Sequence, residues 1–263
     1  MKSQLVIENL NYALFLKNIN FSLEEGTINA LMGSSGSGKT TLLKSIFGLI
    51  KYEGNIIYKG IVLNNDKEYE NRKKIGIYLG TKCLENKTVF LNLIEPLSNL
   101  NYSITKAKKK IYEISRKFSI DDLLYKEIDT LSHSQRKVVA FIQSIIHEPK
   151  IILIDNLFDS LDTFYKDKIM LYLNQLKKNK KSIIIFTTKN SEDLMDSDNL
   201  ILLKKGKLIT IGRIKELIKD ENLFIKNDIQ LPFIINLSYK LKSYELIDDL
   251  IYTTDEMADK IWQ

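Results

Sequence analysis

The 263-residue chain has a single cysteine, Cys83. One cysteine excludes an internal disulfide and fits a reducing compartment. Its two histidines, His133 and His147, stand apart from it with no ligand spacing, which argues against a structural zinc site. There is no run of about 18 apolar residues, so no membrane-spanning helix is expected. The opening MKSQLVIENL lacks an apolar signal core, so secretion is not expected either. Arginine is also scarce: Arg72, Arg116, Arg136 and Arg213 stand against 35 lysines. Nucleic-acid readers favour the bidentate arginine fork. The net charge of +6 and the pI near 9.0 therefore read as lysine-rich composition on solvated faces, with no nucleic-acid partner.

What remains is an ordinary globular composition, 44% apolar and 27% charged. The length fits one large domain, or one with a small appendage. Short β-like runs fill the first part: Leu5-Val6-Ile7, Leu14-Phe15-Leu16, then Ile19 and Phe21. Thr27–Leu31 reads as a buried strand, followed by a Gly/Ser loop and a helix from about Lys39 to Phe47. Strand signals return at Gly54–Leu63 and Ile75–Leu79. Cys83 to Arg136 is helical in pattern and rich in lysine, as a solvated amphipathic face would be. Buried strands follow at Lys150–Asp155 and Ser182–Thr187, with a helix over about Thr163–Leu176 between them. Asn199–Leu203 and Lys207–Ile211 flank Lys205-Gly206 as a hairpin. Apolar strands alternating with helices predict an α/β fold whose parallel sheet is covered on both faces.

The character changes at Asp220. Pro232 opens a helix, with an apolar stripe at Phe233, Leu237 and Leu241. Thr253 and Glu256 form a candidate capping box for a last helix ending near Trp262. Residues 220–263 carry nine acids and four bases, a charge of −5, which leaves +11 on residues 1–219. The division expected is a body over 1–219 and a helical appendage over 220–263.

Gly33-Ser34-Ser35-Gly36-Ser37-Gly38-Lys39-Thr40 matches GxxxxGK[ST] in full, between an expected strand and an expected helix. Glycines let the backbone wrap a phosphate. The loop N–H groups and the helix N-terminus then face the anion. Lys39 is placed for the β- and γ-phosphates of a nucleoside triphosphate, and the Thr40 hydroxyl for Mg²⁺.

With Thr41, the loop spells GSSGSGKTT and resembles the phosphate loop of ABC transporter ATPases. Other marks of that family follow in order. Tyr12 stands where the family places an aromatic that stacks on adenine. Leu131-Ser132-His133-Ser134-Gln135 stands at its LSGGQ signature. Asp155 suits its Mg²⁺-associated Walker B aspartate, and Ser160-Leu161-Asp162 resembles its D-loop. The resemblance implies a P-loop NTPase fold with an antiparallel β subdomain, a helical subdomain near 83–136 and ATP with Mg²⁺ as ligands. The tail, QLPF followed by NLSYKLK and IDDLIYTTDEMADKIW, looks like the C-terminal extension of energy-coupling factor transporter ATPases. That subgroup implies import of a vitamin or metal ion and residence on the cytoplasmic face of the membrane. It also implies a paired ATPase beneath a membrane coupling subunit and a substrate-binding membrane subunit. Other readings are an ABC exporter or resistance ATPase and a non-hydrolytic regulatory ABC protein.

The sequence departs from the family at clustered positions. The glutamate after the Walker B aspartate is Asn156, which cannot accept a proton at neutral pH. The switch histidine falls on Thr188, and the Q-loop glutamine on Gly80 or Thr81. His133 and Ser134 replace the two signature glycines, while Ser132 remains. The expectation is an ATP-binding, hydrolysis-poor subunit with no catalytic residue assigned, working as a heterodimer with an intact homologue. The family docks membrane coupling helices near Gly80–Leu97. The apolar face Val89, Phe90, Leu93 and Ile94 is there either a docking groove or subdomain core. His147 reads as an ordinary helix-end histidine. The lysines of the helical segment suit anionic lipid headgroups, although compositional bias explains them as well. The acidic tail suits a basic partner tail.

Overall fold

The structure, a computed structural model, describes residues 4–63, 73–180 and 182–261. Arg72 and Trp262 lie outside them.

Two sheets organise the chain. β1 (Gln4–Tyr12), β2 (Leu16–Glu24), β4 (Glu53–Tyr58) and β5 (Ile61–Val62) form an antiparallel sheet in the order β2-β1-β4-β5. The second sheet contains β3 (Thr27–Met32), β6 (Ile75–Tyr78), β7 (Ile151–Ile154), β8 (Ile183–Thr187), β9 (Asn199–Lys204) and β10 (Lys207–Arg213). Its order is β10-β9-β3-β8-β7-β6, parallel except where β10 turns back on β9.

Alternation along the parallel strands splits the core in two. Ile152, Ile154, Ile184, Phe186, Leu200 and Leu202 face the helices. Ile151, Leu153, Ile183, Ile185, Ile201 and Leu203 face the antiparallel sheet and helix α1 (Lys39–Phe47). A strand buried on both faces needs apolar side chains at every position, which is why KIILID and SIIIF read as continuous runs. The helical segment contains α2 (Val89–Asn99), α3 (Ile104–Lys117) and α4 (His133–Ile145). Helix α5 (Thr163–Lys178) joins β7 to β8.

The expected fold class holds, and several local readings change. Leu14 and Phe15 are an exposed turn between β1 and β2 rather than strand. The Gly54–Leu63 run is a hairpin broken at Lys59-Gly60, where both residues take positive φ. Val89 and Leu93 are fully buried against the helical core, so that apolar face is subdomain core. His147 lies past the end of α4, where burial lowers its pKa.

In the tail, Pro232 is the N-cap of α8 (Phe233–Ser243), which follows the short helices α6 (Ile214–Leu217) and α7 (Glu221–Ile225). The buried face of α8 is Ile234, Ile235 and Ser238, with Leu237 and Leu241 half-buried beside it. Phe233, expected to lead the stripe, is 68% exposed. Thr253 Oγ1 accepts from Glu256 N at 3.2 Å, while the Glu256 carboxylate reaches Tyr252 N rather than closing a box on Thr253. Helix α9 (Thr254–Ile261) follows.

Gly76 fixes how closely β6 approaches α4. A Cβ there would sit 2.3 Å from the Ser144 carbonyl oxygen and 2.8 Å from Pro149 Cγ. Backbone cannot swing aside as a side chain can. Gly76→Ala should therefore cost roughly 1–3 kcal/mol by overpacking. A lowered denaturant midpoint with unchanged slope is the expected result, and an unchanged midpoint would refute this reading of the contact.

Candidate nucleotide site

The carboxyl ends of β3, β7 and β8 lie side by side, with Leu31 opposite Thr187 and Ile154 opposite Phe186. Ligands of open α/β sheets bind at such an edge. The loop leaving β3 carries Gly33 to Gly38 and feeds directly into α1.

Two glycines make this loop possible. A Cβ at Gly33 would stand 2.1 Å from the Leu203 carbonyl oxygen. At Gly38 it would stand 2.7 Å from the Phe15 carbonyl oxygen, and Gly38 has φ 103° at the N-cap of α1. The β9–β10 turn braces the loop, since Gly206 N donates to Ser37 O at 3.1 Å and Lys17 N donates to Gly206 O at 2.8 Å. Ser34, Ser35 and Gly36 form its exposed lip. Thr41, one residue beyond Thr40, belongs to the first turn of α1, where its carbonyl accepts from Ser45 Oγ at 3.0 Å.

Lys39 is buried and bends back into the loop, donating to Gly33 O at 2.7 Å and Ser34 O at 3.0 Å. Burial lowers its pKa, opposed by the Asp155 charge and reinforced by the Lys189 charge. Ser37 Oγ is buried with no hydrogen-bond partner. It lies 2.6 Å from where a Cβ on Gly33 would stand, so a glycine-walled loop with a lysine bent into it fits a phosphate-binding cradle.

Thr40 Oγ1 donates to Asp155 Oδ2 at 2.7 Å, across 115 residues of sequence. A hydroxyl beside a carboxylate is the oxygen-only donor pair that suits Mg²⁺, whose remaining positions are filled by water and phosphate oxygens. No cluster of three or more His, Cys, Asp or Glu is found among the described residues, and such a site does not need one.

The other Asp155 oxygen takes a hydrogen bond from Thr187 Oγ1 at 2.8 Å, and Thr187 Oγ1 accepts from Asn156 N at 2.8 Å. In the sequence alone, the one signal for Thr187 is its place at the end of the buried strand that becomes β8. Asn156 takes φ 50° and holds its side-chain amide 3.4 Å from Asp155 Oδ1. Thr188 turns the other way. It is 1% exposed, its hydroxyl donates to Asp193 Oδ2 at 2.5 Å, and it accepts from Asn190 N at 3.0 Å. Gly80, with φ 106°, follows β6 and has nothing within 4 Å of a would-be Cβ.

Tyr12 sits at the end of β1 and stacks on Phe15, with ring centroids 6.3 Å apart and planes 27° apart. Phe15 reads as strand in the sequence and becomes part of the site only through the turn that exposes it. The Phe15 carbonyl lies against Gly38, so this aromatic pair borders the phosphate loop.

The signature touches the D-loop at one residue, Ser134. Ser132 is the N-cap of α4, in a full capping box: Ser132 Oγ accepts from Gln135 N, and Gln135 Oε1 accepts from Ser132 N. Leu131 is buried in the helical core, and His133 is the exposed first residue of the helix. Ser134 Oγ accepts from Asp162 N at 3.1 Å. Buried Lys137 donates to the carbonyls of Leu157 and Asp159. Asp162 caps α5 by accepting from Tyr165 N at 3.0 Å, and Ser160 takes φ 59° in the turn before Leu161.

A family model described as "ABC transporter" matches residues 16–159. The chain is 30% identical over 253 residues to the energy-coupling factor transporter ATP-binding protein EcfA1 of Mesomycoplasma hyopneumoniae, covering 95% of this chain and 92% of that one. Among solved structures, cbiO1 of Clostridium perfringens, part of the ABC transporter complex cbiONQ, is 25% identical with a TM-score of 0.74. That match covers 90% of this chain and 99% of the other. An ATP-binding cassette in a dimeric, post-hydrolysis state bound to ADP and Pi is 26% identical with a TM-score of 0.71, covering 80% of this chain and 98% of the other. A phosphate loop backed by a hydroxyl–carboxylate pair, on this sheet order and with these relatives, places the chain in the ABC transporter family, among the energy-coupling factor ATP-binding proteins.

Proposed function

We propose that the chain is the weakly hydrolytic half of a heterodimeric ATPase that drives an energy-coupling factor-type importer. Tyr12, with Phe15 beside it, takes the adenine. Residues Gly33 to Thr41 wrap the triphosphate, with Lys39 leaving its two carbonyls for the β- and γ-phosphates. Thr40 and Asp155 would hold Mg²⁺, which would supply charge to offset that developing on the phosphates. The observation that carries the reading is the contrast between two neighbouring sets. The binding pair Thr40–Asp155 is assembled, while Thr188 is committed to Asp193 and Asn156 offers an amide where a base is needed.

In this arrangement each nucleotide lies between one subunit's phosphate loop and the other's signature. The intact homologue supplies glutamate, histidine and glutamine at its own site, and this chain supplies Ser132 to it. The tail over 220–263 joins the two subunits, and exposed Phe233, Tyr244 and Leu246 give it apolar area for that contact. The membrane coupling subunit docks beside Gly80, where a groove of about 330 Å³ is lined by Ile77, Cys83, Glu85, Glu95, Pro96 and Gln143, among others. Among the described residues no helix is long and apolar enough to cross a membrane. In the proposed assembly the coupling subunit holds the chain at the cytoplasmic face.

Recovering the tagged chain from its native membrane and sequencing what accompanies it tests this directly. The expected set is one homologous ATPase with glutamate after its Walker B aspartate, one integral coupling subunit and one small substrate-binding membrane protein. Recovery with an exporter's membrane subunits would replace importer by exporter. Recovery as a soluble self-pair would favour a regulatory role.

A further inference from the structure

We propose that Lys189 supplies the cation for the terminal phosphate in place of the residue at 188. The inference rests on the nucleotide reading above and asks how a site without the switch histidine recognises a γ-phosphate. Thr188 cannot answer that need, because its hydroxyl is buried on Asp193 and Asn190. The next residue stands in the loop leaving β8, with its side chain 68% exposed. Its ammonium lies 3.8 Å from Asp159 Oδ2, a loose ion pair rather than a closed hydrogen bond.

The surroundings place this ammonium at the mouth of the phosphate site. Lys39 feels four influences: its own burial and the charges of Asp155, Lys189 and Asp159. Geometry agrees: Lys189 comes two residues after Thr187, whose hydroxyl donates to Asp155 Oδ1 at 2.8 Å, and its partner Asp159 comes four residues after Asp155, so the ion pair borders the volume at the carboxyl edge of the sheet. Asp155 is already engaged by Thr40 and Thr187 and is committed to Mg²⁺ in the reading above. Asp159 is the partner left for Lys189, and its backbone carbonyl is held by Lys137, which anchors the carboxylate's position. A triphosphate entering this volume offers a more highly charged anion than Asp159. The exposed, flexible lysine exchanges one for the other, and Asp159 holds it ready until then. The γ-phosphate is present in ATP and absent in ADP, so the lysine acts as a sensor of nucleotide state.

The test is equilibrium binding of MgATP and MgADP to the full chain and its variants. Lys189→Gln should weaken MgATP roughly 10-fold, the scale of a lost charge-assisted hydrogen bond, and leave MgADP unchanged. Lys189→Arg should retain most of the MgATP preference. Asp159→Asn, which frees the ammonium beforehand, should tighten MgATP relative to MgADP. Thermal melting of each nucleotide-free variant separates lost binding from lost folding. Equal weakening of both nucleotides, or no change in either, overturns the proposal while leaving the nucleotide site standing. A wild-type chain that binds neither nucleotide overturns the nucleotide reading and this inference with it.

Discussion

Purified alone, the chain should bind MgATP yet turn it over at least 10²–10³-fold more slowly than a relative with glutamate after its Walker B aspartate, a loss of roughly the size seen when one transition-state group is removed. Attack by water on the γ-phosphate needs the water held in line and relieved of a proton. Asn156 can hold water but cannot take the proton. Its amide is also turned toward Asp155. The Thr188 hydroxyl is buried on Asp193, which is itself paired with Lys166 at 2.5 Å. Gly80 has no amide to bring to the water or the metal. Groups that act as a unit are not additive in their loss, so the three deficits need not multiply, but little activity should survive them.

Two variants locate the deficit. Lys39→Ala should abolish MgATP binding, because this ammonium is the buried cation of the cradle. Asn156→Glu should raise turnover about 10-fold or more, since a correctly placed general base contributes roughly 10²–10⁴-fold when the rest of the site is present. Full recovery is not expected while the 188 side chain remains on Asp193. Wild-type turnover equal to that of a competent relative, and lost in Lys39→Ala, would refute the hydrolysis-poor reading.

The parts of this site legible in the sequence are those whose chemistry is local. The phosphate loop is a run of eight residues whose glycines, lysine and threonine act through backbone shape and short reach. Nothing distant has to be known for it to be recognised. Asp155 was legible through the family resemblance, as the residue that ends a buried strand 24 residues after Leu131. What stayed hidden depends on pairing across the chain. Ser134 looked like a lost glycine, but its hydroxyl accepts the Asp162 amide 28 residues away and ties the signature to the D-loop. Nothing in the sequence sets Lys137 apart from the other lysines, yet it is buried and holds two carbonyls of the segment after β7. Phe15 was absorbed into a strand because β-like residues surround it. The turn that exposes it follows from the register of β1 and β2, where Tyr12 pairs with Leu16. The apolar stripe of α8 misled for a related reason. Periodicity names an apolar face, and only packing decides whether Phe233 or Ile234 turns inward.

In a heterodimer with a competent homologue, Ser132→Asp in this chain should lower total turnover by at least about 10²-fold, while Lys39→Ala in this chain should lower it far less. The asymmetry follows from where each residue works. Ser132 faces the partner's nucleotide in the proposed arrangement, and Lys39 faces this chain's own. Ser132 Oγ already accepts the Gln135 amide, so its remaining hydroxyl proton is free to be donated. It stands at the N-terminus of a 13-residue helix, whose dipole and free N–H groups favour an anion. Aspartate keeps the capping function, being as good an N-cap as serine. It replaces a donor with a negative charge aimed at a phosphate. The helix should therefore stay folded, with melting unchanged, while the composite site is blocked by like-charge repulsion. Ser132→Ala would confound the two effects, because removing the cap costs about 1 kcal/mol in stability. His133→Gly provides the companion measurement. If the imidazole only crowds the phosphate, turnover at the partner's site is preserved or raised; if its N–H donates to the γ-phosphate, turnover falls. A heterodimer that tolerates Ser132→Asp but dies with Lys39→Ala would reverse the assignment, making this chain's phosphate loop the working one.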